Sequence, residues 1–531
     1  MNCLLLDCTL RDGGYLNNWE FGYDTIHYMA DRLQAAKMDV IELGFLNESV
    51  TASRDSTIFP DTDALNAVYG NLRKTDALLV AMIDYGTCGI EHICDCKDTV
   101  IDGIRIIFKQ PKMYKAMEFA KQVKAKGYKV FLQMVSVTTY DDRSLLDFVD
   151  GVKEVMPFGV GMVDTYGLMH KEDLLHIFHS LDYNLPKEIV LGYHSHNNFQ
   201  LGYANSIELL KEKTDRTLLV DGSVHGMGKS AGNAPTELLA MHMNEFYGKH
   251  YDLNQLLEII DVVILRLKEK YSWGYSLKFY LSAANDCHPN YLTYLLGKKT
   301  LSIKSINEII GSIEPDKKLN YDEKYIGNLY AAYLGKEIDD SAAVAQLSQL
   351  LGGRDVLLVS PGASLKKYAD EIDAFIAQKH PVVISTNFVP QKIHPDYVFF
   401  SSSKRFLFSQ ESIEKLGDDT KLIATSNITG LSNDFDFALN FEKWMDSAPD
   451  IIDNSGVICL RFLSELAPAS VTMAGFDGFG GNQDYFSEHM SYVKDQARLD
   501  RVTKTIGLRI AEFSKKMPLR FLTPSLYEVR G

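Results

Sequence analysis

Glu188-Ile189-Val190-Leu191-Gly192-Tyr193-His194-Ser195-His196-Asn197-Asn198 is an apolar run that ends in two histidines one residue apart, and the first 335 residues are organised around it. On a strand, successive side chains alternate faces, so His194 and His196 point the same way with their imidazoles close enough to share one ion. Neutral imidazole suits a divalent first-row metal. Two histidines seldom hold one alone, so this reading demands a third ligand, a carboxylate, from another segment. A surface histidine pair without a metal has the same spacing.

Working outward, apolar β-branched runs alternate with helical patterns on both sides of this stretch. Strands are predicted at 4–6, 40–43, 78–83, 103–108, 130–135, 158–163, 189–193 and 218–221, with amphipathic segments between them. Eight strands with interleaved helices in this span have the size of a (β/α)8 TIM barrel, whose active sites form at the C-terminal strand ends. A doubly wound open sheet is the competitor, but no Gly-rich phosphate fingerprint follows the first strand. The strand-end residues are Asp7 to Tyr15, Glu42, Asp84, Lys109, Gln133, Asp164 to Gly167, the His pair, and a Gly-rich loop from Asp221 to Asn233. In a closed barrel they share one mouth, where Asp12 can complete the ligand set of His194 and His196.

The chain has 531 residues, so two or three domains are expected. With 46% hydrophobic and 24% charged residues it reads as globular, and a formal charge of −15 argues against nucleic acid as a partner. Neither a signal peptide nor a membrane span is visible, so a cytoplasmic protein is expected. Seven cysteines, an odd number, fit reduced thiols; Cys94 and Cys96 lack the second pair of a thiolate metal site. Residues 1–250 are assigned to the barrel, 251–335 to a helical extension, 336–354 to a linker, and 355–531 to a second, Rossmann-like α/β domain with strands at 355–359, 382–385, 397–400, 422–424 and 470–474.

Thr9-Leu10-Arg11-Asp12-Gly13, Glu42, Asp164-Thr165-x-Gly167, His194-x-His196-Asn197 and Gly226-x-Gly228 through Ala231-Gly232-Asn233 together resemble the DRE-TIM metallolyase superfamily. That group includes 4-hydroxy-2-oxovalerate aldolase, 3-hydroxy-3-methylglutaryl-CoA lyase and the isopropylmalate synthases. The resemblance implies a divalent ion, manganese first with magnesium or zinc as alternatives, on Asp12, His194 and His196, with Asn233 as a further ligand. It implies Arg11 beside the enolate of a 2-oxo acid, Glu42 orienting Arg11 or a bound water, and Tyr275, in Trp273-Gly274-Tyr275-Ser276, as proton donor. The substrates implied are a 2-oxo acid such as pyruvate and an aldehyde, in an enzyme able to form homo-oligomers.

The sequence departs from those aldolases at Tyr15, which stands where they carry a basic histidine; His225, Tyr166 and a metal-bound hydroxide are alternative proton acceptors. The cysteine of the CoA-lyase loop is missing after Gly228, which weakens a Claisen reaction on an acyl-CoA. Lys109 offers a Schiff-base mechanism without metal. A non-catalytic nucleotide-sugar-binding protein with a vestigial barrel is the alternative outside enzymes. In the second domain, Ser360-Pro-Gly362-Ala-Ser364, Ser385-Thr-Asn387, Asn454-Ser455-Gly456 and Met473-Ala-Gly475-Phe-Asp477 resemble bacterial lipooligosaccharide sialyltransferases and flagellin-glycosylation proteins. That resemblance implies nucleotide contacts at Gly362, Ser364, Asn387, Ser455 and Gly456, with His489 as counterpart of the family's catalytic histidine.

Overall fold

A computed structural model of the chain describes residues 2–527 except 74, 299–300, 319, 336–337, 433–434, 449 and 480–495; His489 therefore lies outside the described residues. The chain divides into two compact units, Met1–Pro289 and Asn290–Gly531.

The first unit carries the eight predicted strands: β1 (Cys3–Asp7), β2 (Val40–Leu46), β3 (Leu78–Asp84), β4 (Gly103–Phe108), β5 (Lys129–Val135), β6 (Gly159–Asp164), β7 (Val190–Ser195) and β8 (Leu218–Gly222). All pair in parallel. β1 pairs with β2, Leu6 opposite Val40, and with β8, Cys3 opposite Leu218, which closes the barrel; Ile58–Phe59 adds a short outer strand along β2. The helices between strands bury one apolar stripe each. In Asp142–Val155, Leu145, Phe148, Val149, Val152 and Val155 recur at three- and four-residue spacing, and the Asp141 carboxylate caps the first turn by accepting from the Ser144 N–H at 2.9 Å.

The inside of the barrel follows the two-residue period of its strands. Leu6, Val40, Val80, Phe131, Val190 and Leu219 form an apolar plug with Cys8. Two residues further along their strands, Glu42, Gln133 and Asp221 face the same interior and are joined there by Arg105. Gly161 leaves the room that the Gln133 amide fills, since a Cβ there would meet its Oε1 at 1.8 Å. The plug thus supports a polar layer just beneath the C-terminal mouth.

The second unit holds helices Ile303–Gly311, Glu323–Leu334 and Ser341–Leu351 and a parallel sheet. The Gly352-Gly353 pair, the sequence signal taken for a domain break, lies inside this unit. Its strands are β9 (Asp355–Val359), β10 (Val382–Thr386), β11 (Tyr397–Phe400), β12 (Lys421–Thr425), β13 (Phe437–Leu439), β14 (Ser470–Ala474) and β15 (Leu519–Phe521). Their order, β13-β12-β11-β10-β9-β14-β15, reverses direction between β9 and β14, the kind of switch point that opens a crevice in α/β sheets. β13 and β15 are additions to the expected set; each has three residues, too few to show a period.

Candidate metal centre and active site

The chain leaves β1 into a single helical turn, Thr9–Asp12, which places Arg11 and Asp12 at the barrel mouth. β7 delivers His194 and, one step past its end, His196. One ligand atom each from Asp12, His194 and His196 can be chosen so that all three lie within 4.8 Å of one another, and all three residues are buried. The His194 Nδ1 lies 3.0 Å from Asp221 Oδ2, which leaves its Nε2 for an ion. Burial, only partly offset by Asp12, holds the His196 pKa down to about 3, so its imidazole is neutral, the form that ligates metals. Burial works to raise the Asp12 pKa, but the Arg11 guanidinium, helped by the hydrogen bond from Asn233, outweighs it and keeps the carboxylate ionised.

Asn233 donates its Nδ2 to Asp12 Oδ2 at 2.7 Å, while its Oδ1 is buried without a partner. The loop after β8 reaches this close because residue 228 is glycine. A Cβ there would stand 2.3 Å from Asp12 Oδ2 and 2.4 Å from Asn233 Nδ2.

Arg11 is held on two sides, Nε to Glu42 Oε2 at 2.7 Å and Nη1 to Asp12 Oδ1 at 2.5 Å. Glu42 in turn accepts from Arg105 Nη1 at 3.1 Å, and Arg105 Nη2 donates to Asp221. One buried chain of charges therefore runs Asp12, Arg11, Glu42, Arg105, Asp221, His194. Arg11 Nη2, Arg105 Nε, Asp221 Oδ1, His196 Nδ1 and Asn233 Oδ1 are left buried and unpaired. Each such atom costs about 1–3 kcal/mol when nothing satisfies it, so five among neighbouring residues mark a site built for a ligand. The carboxylate and imidazole donors fit a divalent ion.

The structure thus brings together Arg11, Asp12, Glu42, His194, His196 and Asn233. Arg105 and Asp221 join them without having been assigned a role from sequence. Tyr15 lies at the edge of the mouth, 38% exposed, against the Trp19 ring at 4.8 Å, and desolvation pushes its phenol up to about 12, so it keeps its proton at neutral pH. Tyr275 is 62% exposed and does not join the hydrogen-bonded group. His225 is turned to Lys268, whose Nζ lies 2.9 Å from its Nε2. Asp164 braces the loop after β6 by accepting from the N–H groups of Leu168 and Met169 at 2.9 and 3.1 Å.

In the second unit the Ser364 N–H donates to Asp477 at 2.7 Å, and its hydroxyl donates to the same carboxylate. Gly362 packs so tightly that a Cβ would meet Gly475 O at 2.3 Å and Asp477 at 2.6 Å. The Asn387 Oδ1 accepts from the N–H groups of Ser401 and Ser402. Ser455 and Gly456 open helix Ser455–Leu466, capped by the Asn454 side chain at 3.0 Å from the Val457 nitrogen.

Fold and site define a class: residues 2–263 match the family model described as HMGL-like, and a metal-dependent carbon–carbon lyase or synthase is the kind of protein supported. Among relatives, the chain is 27% identical over 237 residues to an oxaloacetate decarboxylase of Mycobacterium tuberculosis, covering 44% of this chain and 68% of that protein. It is 24% identical over 276 residues to a 4-hydroxy-2-oxovalerate aldolase of a Marinomonas species, covering 50% and 78%. Among solved structures, the N-terminal domain of a candidate aldolase from Bacteroides vulgatus is 26% identical, with a TM-score of 0.49 over 57% of this chain and 99% of that one.

Proposed function

We propose that the barrel is an aldolase that makes or breaks the carbon–carbon bond next to a 2-oxo acid, with pyruvate as the simplest donor and Mn2+ as the first candidate ion. The observation that carries this reading is the unpaired, buried Nη2 of Arg11 beside the Asp12, His194 and His196 group. An ion held by these three residues and Asn233 supplies Lewis-acid stabilisation of the negative charge that develops on the oxo-acid oxygens. Arg11 adds a donor in a dry pocket and keeps its charge at every working pH. Glu42 fixes the direction of that donor, and Asp221 fixes the tautomer and tilt of His194.

The two relatives named above support the same intermediate. Loss of CO2 from oxaloacetate and cleavage of a 4-hydroxy-2-oxo acid both leave the enolate of pyruvate. A Schiff base on Lys109 has less support, because a metal-free mechanism would leave the buried Asp12, His194 and His196 group without a role. The second unit's resemblance to surface-glycan transferases favours a product destined for a surface sugar.

The test is exchange of the pyruvate methyl protons with deuterium in the absence of aldehyde. Exchange is expected with Mn2+, is abolished by EDTA, and returns when the ion is restored. Exchange that survives complete metal removal, or trapping of pyruvate on Lys109 by borohydride, overturns the reading.

A further inference from the structure

Around the ligand group the rim of the barrel mouth is basic. Lys109 directly follows β4 and is exposed. Lys112, one turn later, lies 3.5 Å from the carbonyl of Tyr85, just past the end of β3. Lys229, in the loop after β8, carries its ammonium 5.1 Å from the centre of the Tyr15 ring. Lys278 and His288 reach the same place from the segment that follows the barrel. His288 feels Lys229, Lys109 and Lys278 together, and their charges add to its burial in holding its pKa below the usual histidine value.

Two acids face these lysines: Asp84, the last residue of β3, on which Lys112, Lys109 and Lys229 all act, and Asp12, whose charge acts on Lys229. Two carboxylates against four ammonium groups still leave a cationic rim on a chain whose formal charge is −15. The excess is not used deeper in the site. There Arg11 and Arg105 face three carboxylates, Asp12, Glu42 and Asp221, and the remaining negative charge suits the ion itself. Among the described residues, no carboxylate stands within ion-pair distance of Lys109, Lys112, Lys229 or Lys278. Cations converging without close counter-ions raise the local concentration and on-rate of anions.

We propose that the aldehyde partner of the 2-oxo acid is itself an anion, whose phosphate or carboxylate is held at the mouth by Lys109, Lys229 and Lys278. This rests on the aldolase reading and names the class of acceptor that the reading leaves open. The anionic group takes no part in bond making; it fixes the acceptor's carbonyl above the nucleophilic carbon and discriminates against neutral aldehydes.

The experiment uses the full chain with Mn2+ and pyruvate and compares kcat/KM for charged and uncharged acceptors: glyceraldehyde 3-phosphate against glyceraldehyde, and succinic semialdehyde against butanal. The favoured charged acceptor is expected to lead its neutral counterpart by about tenfold or more at low salt, with the lead shrinking between about 0.05 and 0.5 M salt. Whichever pair shows the larger lead tells phosphate from carboxylate. Lys109→Met and Lys278→Met each lower the lead, Lys109→Arg restores it, and thermal unfolding checks that each variant is folded. Equal use of charged and neutral acceptors, or a lead that both methionine variants leave intact, overturns the proposal. Methyl exchange without aldehyde separates the two readings. If exchange is absent, the aldolase reading falls and this one with it; if exchange occurs without discrimination, this one falls alone.

Discussion

At the C-terminal end of the barrel the interior is ringed by Arg11, Asp12, Glu42, Arg105, His194 and Asp221; at the C-terminal end of the second sheet the polar groups are Ser360, Thr386, Ser401 and Thr425. Both edges belong to parallel sheets, and both occupy the position where α/β proteins place ligands. They differ in what is already spent. Ser360 and Thr386 pair with each other at 2.8 Å, the Thr425 hydroxyl goes to Asn427 at 2.5 Å, the Asn427 amide goes to the Ser401 carbonyl at 2.9 Å, and Ser364 goes to Asp477. The buried groups left over there, Ser385 and Ser401 Oγ, are neutral hydroxyls, whereas the barrel leaves two guanidinium nitrogens, a carboxylate oxygen, an imidazole nitrogen and an amide oxygen unpaired among neighbouring residues. Position in the fold offers a site; unspent polar groups, a charged guanidinium among them, make one.

The contrast breaks most sharply at Arg11. Arg11→Met should lower kcat by about 10²–10³-fold, the loss expected when one donor to a developing oxyanion is removed. Bound metal, measured on the same sample, should stay near one ion per chain. If metal content falls in step with the rate, Arg11 serves to hold Asp12 and the catalytic half of the comparison fails.

The next largest effect is on stability against pH. Asp7 is fully buried at the base of the first loop and accepts from Thr9 N–H, Thr9 Oγ1 and Thr236 Oγ1 at 3.0, 3.0 and 2.6 Å. Burial outweighs these hydrogen bonds and raises its pKa to about 6. The folded state therefore binds this proton more tightly than the unfolded chain does. The stabilisation is complete below about pH 4 and disappears as pH rises through about 6, an amount of roughly 3 kcal/mol. Urea unfolding of the wild type and Asp7→Asn at both ends of that window should show the wild type losing this amount relative to the variant as pH rises; the hydroxyls of the second sheet have no counterpart to lose. Parallel pH profiles for the two proteins would remove Asp7 from the account.

Much of the barrel was legible because its strands are β-branched runs bounded by polar residues, and a closed parallel barrel sends every strand end to one mouth. That is why Asp12 and Glu42, far from residue 194 in sequence, could be placed beside it. Arg105 and Asp221 were legible in principle. A charge inside Gly103-Ile104-Arg105-Ile106 falls on the inward parity of a barrel strand and demands a partner. Tyr275 shows the opposite limit, since a short local match says nothing about where packing leaves a segment. The contact between Ser364 and Asp477 spans 113 residues and has no local signature either.

Asp221 offers a smaller effect on the barrel side. It touches no ion itself but fixes His194 and receives Arg105, so Asp221→Asn should weaken Mn2+ binding by about 10–100-fold, the usual cost of losing a ligand's orienting partner. Direct titration of the ion decides it. Unchanged affinity would mean that packing alone orients His194.

The smallest effect lies at the second edge. Asp477 occupies both the N–H and the hydroxyl of Ser364, which also reaches Thr523 at 3.0 Å, so removing the carboxylate strands a partly buried donor pair that water reaches in part. Asp477→Ala is expected to destabilise the second unit by about 1–2 kcal/mol, or roughly 2–8 °C in Tm for a unit of this size. The same carboxylate stands where a phosphate would otherwise accept from this turn, and like charge keeps one out. CMP is therefore expected to leave the wild-type Tm unchanged. A rise that grows with CMP concentration, as linkage to a bound ligand requires, would show that Asp477 yields to a nucleotide and that this edge, too, keeps donors in reserve.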